Sequence, residues 1–223
     1  MLAVIAAALA PSAALLAFFY LKDEFENEPL ITVARCFLFG CLLVFPVMFI
    51  QFAFDEEGLL QSYFLTAFVQ TALTEEFFKW FLVYFTVFHH VHFNERYDGI
   101  VYACAVALGF ATVENIFYLL SAGVDQAFLR AVLPVSSHAL FGVVMGYYLG
   151  KAKFSNKGKK TKAGLALLIP VILHGIYNFI ILTQNYWTYA VIPFMIFLWV
   201  YALRKVKRAN RMQAKYYSKY EAG

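Results

Sequence analysis

Glu75 and Glu76 stand side by side in Thr74-Glu75-Glu76-Phe77-Phe78-Lys79-Trp80, with Lys79 one helical turn further on. Three later clusters carry related chemistry: Glu114-Asn115, His138 behind Ser136-Ser137, and His174-x-x-x-Asn178. This inventory suits hydrolysis by activated water. A carboxylate can take a proton from water while a second acid or a histidine donates one to the leaving group. A histidine beside an asparagine amide can stabilise an oxyanion. No rival nucleophile stands out: GxSxG is missing, and Ser136 and Ser137 have only the adjacent His138 as a base. HExxH is missing too, which argues against a zincin site.

Spacing constrains how these groups act. Residues four apart share a helix face, so Glu75 pairs with Lys79 and His174 with Asn178. Glu75 and Glu76 lie about 100° apart around a helix, so one faces the reaction centre and the other orients it or pairs with a neighbour. The spacing leaves open which does which. Lys79 would lower the carboxylate pKa values, while burial and mutual repulsion would raise them. Lys79 and Asn115 are ambiguous. Asp98 before Gly99 reads as a helix-start residue.

These residues have to be positioned inside a membrane. The chain is 62% hydrophobic and has 25 Phe and 15 Tyr among 223 residues. A water-soluble globule has about 45–50% apolar residues. Seven runs approach the ~20 apolar residues that cross a bilayer, at 2–20, 33–53, 63–88, 98–120, 131–150, 163–183 and 186–203. The expected fold is an all-α polytopic membrane bundle of about seven helices. A single membrane domain is expected over residues 1–203, with a basic cytoplasmic tail at 204–223. The N-terminal run lacks a basic leader and reads as an uncleaved first helix.

Basic residues set the orientation. With the N-terminus outside and the C-terminus cytoplasmic, sixteen Lys and Arg fall on the inner side, Arg130 falls outside, and Lys79 remains at depth. This distribution explains the net charge of +4 without a nucleic-acid partner. The three cysteines lie in apolar runs and read as small buried hydrophobes. The loop His89-His90-Val91-His92 is a weak metal-patch signal beside the reading of ordinary interfacial histidines.

Charges at bilayer depth are costly and face the bundle interior or a wet cavity. Taken singly, each polar group also reads as glue between helices. As a set, Glu75, Glu76, Glu114, His138, His174 and Asn178 come from four consecutive runs and point to one shared site. At about 1.5 Å rise per residue, that site falls in the middle-to-outer half of the bilayer.

Glu75-Glu76-x-x-Lys79, Phe110-x-x-x-Glu114-Asn115, His138 and His174-x-x-x-Asn178, in this order on successive runs, resemble the PrsW family of intramembrane proteases, distant relatives of the CAAX-processing membrane endopeptidases. The resemblance also takes in Tyr97-Asp98-Gly99 and Leu133-Pro134-Val135-Ser136. It implies a CAAX-protease-like helical core and a glutamic-type endopeptidase with no cofactor. It further implies a bacterial cell membrane location and a single-span anti-sigma factor as substrate. The cut is extracytoplasmic, the first step in activating an extracytoplasmic-function sigma factor under stress. Glu75 and Glu76 match the paired glutamates, and His174 and Asn178 match the motif assigned to the oxyanion. Glu114 stands where CAAX enzymes have histidine, so their roles do not transfer cleanly, and His138 is the candidate for the missing imidazole. Three other readings compete: a proton-coupled transporter with a Glu/His relay, a non-catalytic scaffold, and a metal-dependent hydrolase with the Glu/His set as ligands.

Overall fold

The computed structural model describes residues 1–183 and 187–221. Residues 184–186, between the last two expected runs, and the last two residues of the expected tail lie outside the described residues. Seven long helices follow one another: α1 (Leu2–Tyr20), α2 (Leu30–Glu56), α3 (Thr74–Thr86), α4 (Asp98–Ala122), α5 (Ser136–Lys153), α6 (Lys159–Leu182) and α7 (Trp187–Glu221). Among the described residues there is no strand, and six helices have the length and apolarity to cross a membrane. The protein is therefore a polytopic helical membrane bundle. The run expected at 63–88 is helical from Tyr63 to Thr86, but in three pieces. Its charged Glu75, Glu76 and Lys79 set it apart from an ordinary span.

α4 is the central post. It is buried on all sides over most of its length, with α5, α2 and α1 packed around it. Small residues allow this closeness, as is common where membrane helices meet. A Cβ on Gly146 of α5 would stand 2.0 Å from the Gly99 carbonyl oxygen of α4, and one on Gly109 of α4 would stand 1.9 Å from that of Phe37 in α2. The helices touch backbone to backbone there, which fixes the register between the two helices that carry Glu114 and His138. α6 lies against α5 and against the segment before α3.

Two stretches are wound as π-helix, Thr66–Leu73 and Ala131–Val135. Each runs directly into a site residue: the first into Thr74-Glu75-Glu76, the second into Ser136-Ser137-His138. Such wide turns gather at functional sites because an extra residue per turn re-aims the side chains of the next helix. Pro134 lies inside the second and has no backbone N–H to give to an α ladder. The first is held to α2 by Gln70, whose Nε2 donates to Asp55 Oδ1 at 2.6 Å.

At the end of the bundle that carries most of the lysines and arginines, α7 runs on as helix to Glu221. The stretch expected as a tail is fastened there. Asn210 Nδ2 donates to the Lys22 carbonyl at 2.9 Å, Arg96 donates to Gln213 Oε1 at 3.2 Å, and the Tyr217 hydroxyl bonds Glu95. His90 and His92 are exposed, with their rings tilted against each other at 5.0 Å. Asp98 starts α4, as its position in the sequence suggests, and it is fully buried with its Oδ2 accepting from the Glu95 N–H.

Candidate active site

α3 brings Glu75, Glu76 and Lys79 to the bundle interior, where each is at most 3% exposed. Three side chains converge on the Lys79 ammonium. Nζ lies 3.1 Å from Glu75 Oε2, 2.9 Å from Glu76 Oε1 and 3.1 Å from His138 Nδ1. An ammonium has three protons and no acceptor, so all three are used. The Phe110 ring also lies against it, with the centroid 4.1 Å away, a cation–π contact strengthened by exclusion of water. The residue that spacing left ambiguous is the hub of the cluster.

The ammonium dictates the histidine's tautomer. Nδ1 of His138 accepts from Lys79, so its proton is on Nε2, which meets Glu114 Oε2 at 3.0 Å. His174 bonds the same Glu76 oxygen as Lys79, with Nδ1 3.0 Å from Oε1. That leaves His174 Nε2 for a ligand. Its ring stacks on Phe141 at 4.9 Å and meets His138 edge to face at 5.1 Å.

The two glutamates are not equivalent. Glu75 lines a cavity of about 310 Å³, and Glu76 does not. Glu76 Oε1 holds both Lys79 and His174, while its Oε2 is buried with no hydrogen-bond partner among the described residues. Glu75 Oε1 accepts from Gln51 Nε2 of α2 at 3.3 Å. The cavity is also lined by Glu114, His138, His174, Tyr177 and Asn178. Asn178 Nδ2 has no hydrogen-bond partner among the described residues, so it can donate to a bound group. The lining continues through Gln126 and Arg130, between α4 and α5, to Trp187 at the start of α7. The cavity therefore reaches the end of the bundle opposite the lysine-rich loop.

Five of the six expected site residues are thus joined in one hydrogen-bonded cluster around Lys79, and Asn178 lines the same cavity. The hydroxyls of Ser136 and Ser137 are turned back to the carbonyls of Val132 and Pro134. Neither is bonded to His138, so no serine nucleophile is assembled. Asn115 is fully buried and its Oδ1 accepts from Arg130 Nε at 2.7 Å. The Arg130 guanidinium lies over the Tyr118 ring at 4.0 Å. Gln51 and Phe141 are the participants that sequence reasoning missed, while Phe110 was read only as part of a motif and Arg130 only as an outer-side charge. Gln51 is a polar group inside an apolar run and carried a readable signal. Phe141 carried none among 25 phenylalanines.

Glu75, Glu76, His138 and His174 each bring one ligand atom within 4.8 Å of the others. Taken alone, two carboxylates and two imidazoles are a zinc donor set. The ammonium already bonds three of the four. Zinc at ~2.0–2.2 Å from the same atoms would lie no more than about 4 Å from it, with repulsion on the order of 10 kcal/mol even at an effective dielectric near 20. The residues as arranged do not fit a metal.

Comparison with known proteins agrees with the membrane architecture, while the family description names a metalloprotease, which the cluster as arranged does not fit. A family profile described as "PrsW family intramembrane metalloprotease" matches residues 28–203. A "Protease PrsW" of Geobacillus kaustophilus is 55% identical over 210 residues, covering 94% of this chain and 93% of that one. Its counterpart in Bacillus subtilis is 50% identical over 217 residues, covering 96% and 100%. One from Clostridioides difficile is 34% identical over 197 residues, covering 84% and 83%. No solved structure matches the chain. With a membrane bundle, a buried Glu/His cluster on a cavity and relatives named as proteases along nearly its whole length, this chain belongs to the PrsW family of intramembrane peptidases.

Proposed function

We propose that the protein cuts a single-span, membrane-anchored anti-sigma factor on its extracytoplasmic side. This is the first cut in releasing an extracytoplasmic-function sigma factor during a stress response. The observation that carries the reading is one cavity that joins the Glu75 carboxylate to two groups able to hold an oxyanion, His174 Nε2–H in the protonated form and Asn178 Nδ2. Glu75 takes a proton from water, and the water oxygen bonds to the peptide carbonyl carbon. His174 and Asn178 donate to the oxygen that becomes negative. As the C–N bond breaks, the proton held on Glu75 passes to the leaving amine. Glu76 holds His174 and Lys79 in place, and Glu114 holds His138. All six residues thereby have work in a glutamic-type mechanism.

The distribution of charge supports the side of the cut. The cavity reaches the end of the bundle opposite the lysine-rich loop 151–162. Basic loops stay in the cytoplasm, so the cavity faces outward, with the N-terminus outside and the C-terminus inside. A peptide emerging from the bilayer on that side meets Glu75 without crossing the membrane. Substrate trapping tests the reading. Glu75→Gln, expressed in cells of a related bacillus and purified with its bound proteins, is expected to retain an uncleaved single-span anti-sigma factor, identified by mass spectrometry. Recovery of soluble proteins alone, or intact cleavage in the Glu75→Gln strain, would refute it.

A further inference from the structure

We infer that Lys79 is the resident cation of this centre: its ammonium takes the place that a catalytic metal would have, and its presence excludes a divalent ion. The inference rests on reading the cluster as the hydrolytic site. Three observations carry it. Nζ bonds Glu75 Oε2, Glu76 Oε1 and His138 Nδ1 at 2.9–3.1 Å, three of the four side chains whose ligand atoms lie close enough for a metal. The Phe110 ring lies against the ammonium at 4.1 Å, and an aromatic face suits a cation but is no zinc ligand. Lys79 is 1% exposed and lies on the same helix turn as both glutamates, so the charge is tethered and cannot be exchanged with solvent.

The consequences reach beyond charge balance. The ammonium turns both carboxylates toward one point and fixes His138 as the Nε2–H tautomer that bonds Glu114. Lys79 is a positioning residue, since it does not line the cavity and acts through Glu75 and His138. Removing it leaves two carboxylates and two imidazoles around a vacated cation position, a set of the kind zinc accepts.

Metal content decides the matter, because a merely structural lysine would not control it. Wild type, Lys79→Arg and Lys79→Met are purified in detergent, exposed to excess zinc, desalted and analysed for zinc per chain. Each is also assayed for cleavage of a membrane-anchored peptide with and without a chelator. We expect far less than one zinc in wild type and Lys79→Arg, chelator-resistant cleavage by wild type, and about one zinc per chain in Lys79→Met. A stoichiometric zinc in wild type that disappears in His174→Ala would overturn the inference. So would a folded Lys79→Met that takes up none. Should Lys79→Met fail to fold, wild type and Lys79→Arg decide alone. A zinc-free wild type that cleaves nothing contradicts the proposed hydrolysis and leaves Lys79 as the resident cation. A wild type that cleaves only with bound zinc does the reverse.

Discussion

Glu75 and Glu76 are adjacent in sequence and differ in surroundings because a helix turns about 100° between them. Glu75 meets the cavity, and Glu76 grips Lys79 and His174 behind it. That these residues would lie buried together was legible in the sequence, because an ionisable group in an apolar run must be shielded and paired. The hub was not. Counting carboxylates and imidazoles ranks Lys79 as an accessory, and only the convergence of α3 and α5 makes it central. At this scale we expect Glu75→Gln to lower the cleavage rate by about 10²–10⁴ by removing the proton acceptor. His174→Ala is expected to cost about 10²–10³ through the oxyanion. Both are measured as initial rates on a reconstituted single-span substrate, with insertion checked by gel filtration. A loss confined to substrate affinity would contradict both roles.

The elements position these residues by two devices of different legibility. The first is small-residue contact. α4 and α5 meet at Gly99 and Gly146 with no room for a methyl group. Gly146→Ala must push the helices apart and is expected to lower stability by ~1–3 kcal/mol, the usual cost of overpacking. Gly164→Ala in α6 meets nothing within 4 Å and serves as the neutral control. Thermal midpoints of the two variants in detergent test this, and equal midpoints would contradict the close contact. Small residues in an apolar run were readable, but which pairs touch was not. The second device is the π-helical winding of Thr66–Leu73 and Ala131–Val135. Seven apolar runs could be drawn from hydropathy, with the third marked only by its charges. The change of winding has no hydropathy signature, since every residue from Phe64 to Leu73 except Thr66, Gln70 and Thr71 is apolar. Proline at 134 is its single trace in the second stretch.

At the scale of the molecule, the chain has two polar ends built for different purposes. One end opens as the cavity. The other, at the basic loops, closes around buried carboxylates to which the α7 extension is tied. Asp23 lies there beside Glu28 and Glu95, and burial with these neighbours pushes its carboxyl up to about 7. Burial also raises Glu28 and Glu95 above the usual carboxylate range. A carboxyl raised in the folded state binds more protons folded than unfolded. Its contribution to stability is therefore greatest at low pH and is lost as pH rises toward and through 7. The thermal midpoint is expected to fall between about pH 4 and pH 7 and to level off above it, and Asp23→Asn is expected to flatten that slope. A midpoint that rises over the same interval would contradict it. The central claim, that the cluster hydrolyses peptide bonds with water activated by Glu75, has one direct measurement. Wild type and Glu75→Gln are reconstituted with a single-span peptide in heavy-oxygen water, and the products are read by mass spectrometry. The predicted result is one heavy oxygen in each new C-terminal carboxylate, cuts on the cavity side, and no product from Glu75→Gln above background. Cleavage by Glu75→Gln at the wild-type rate would contradict it.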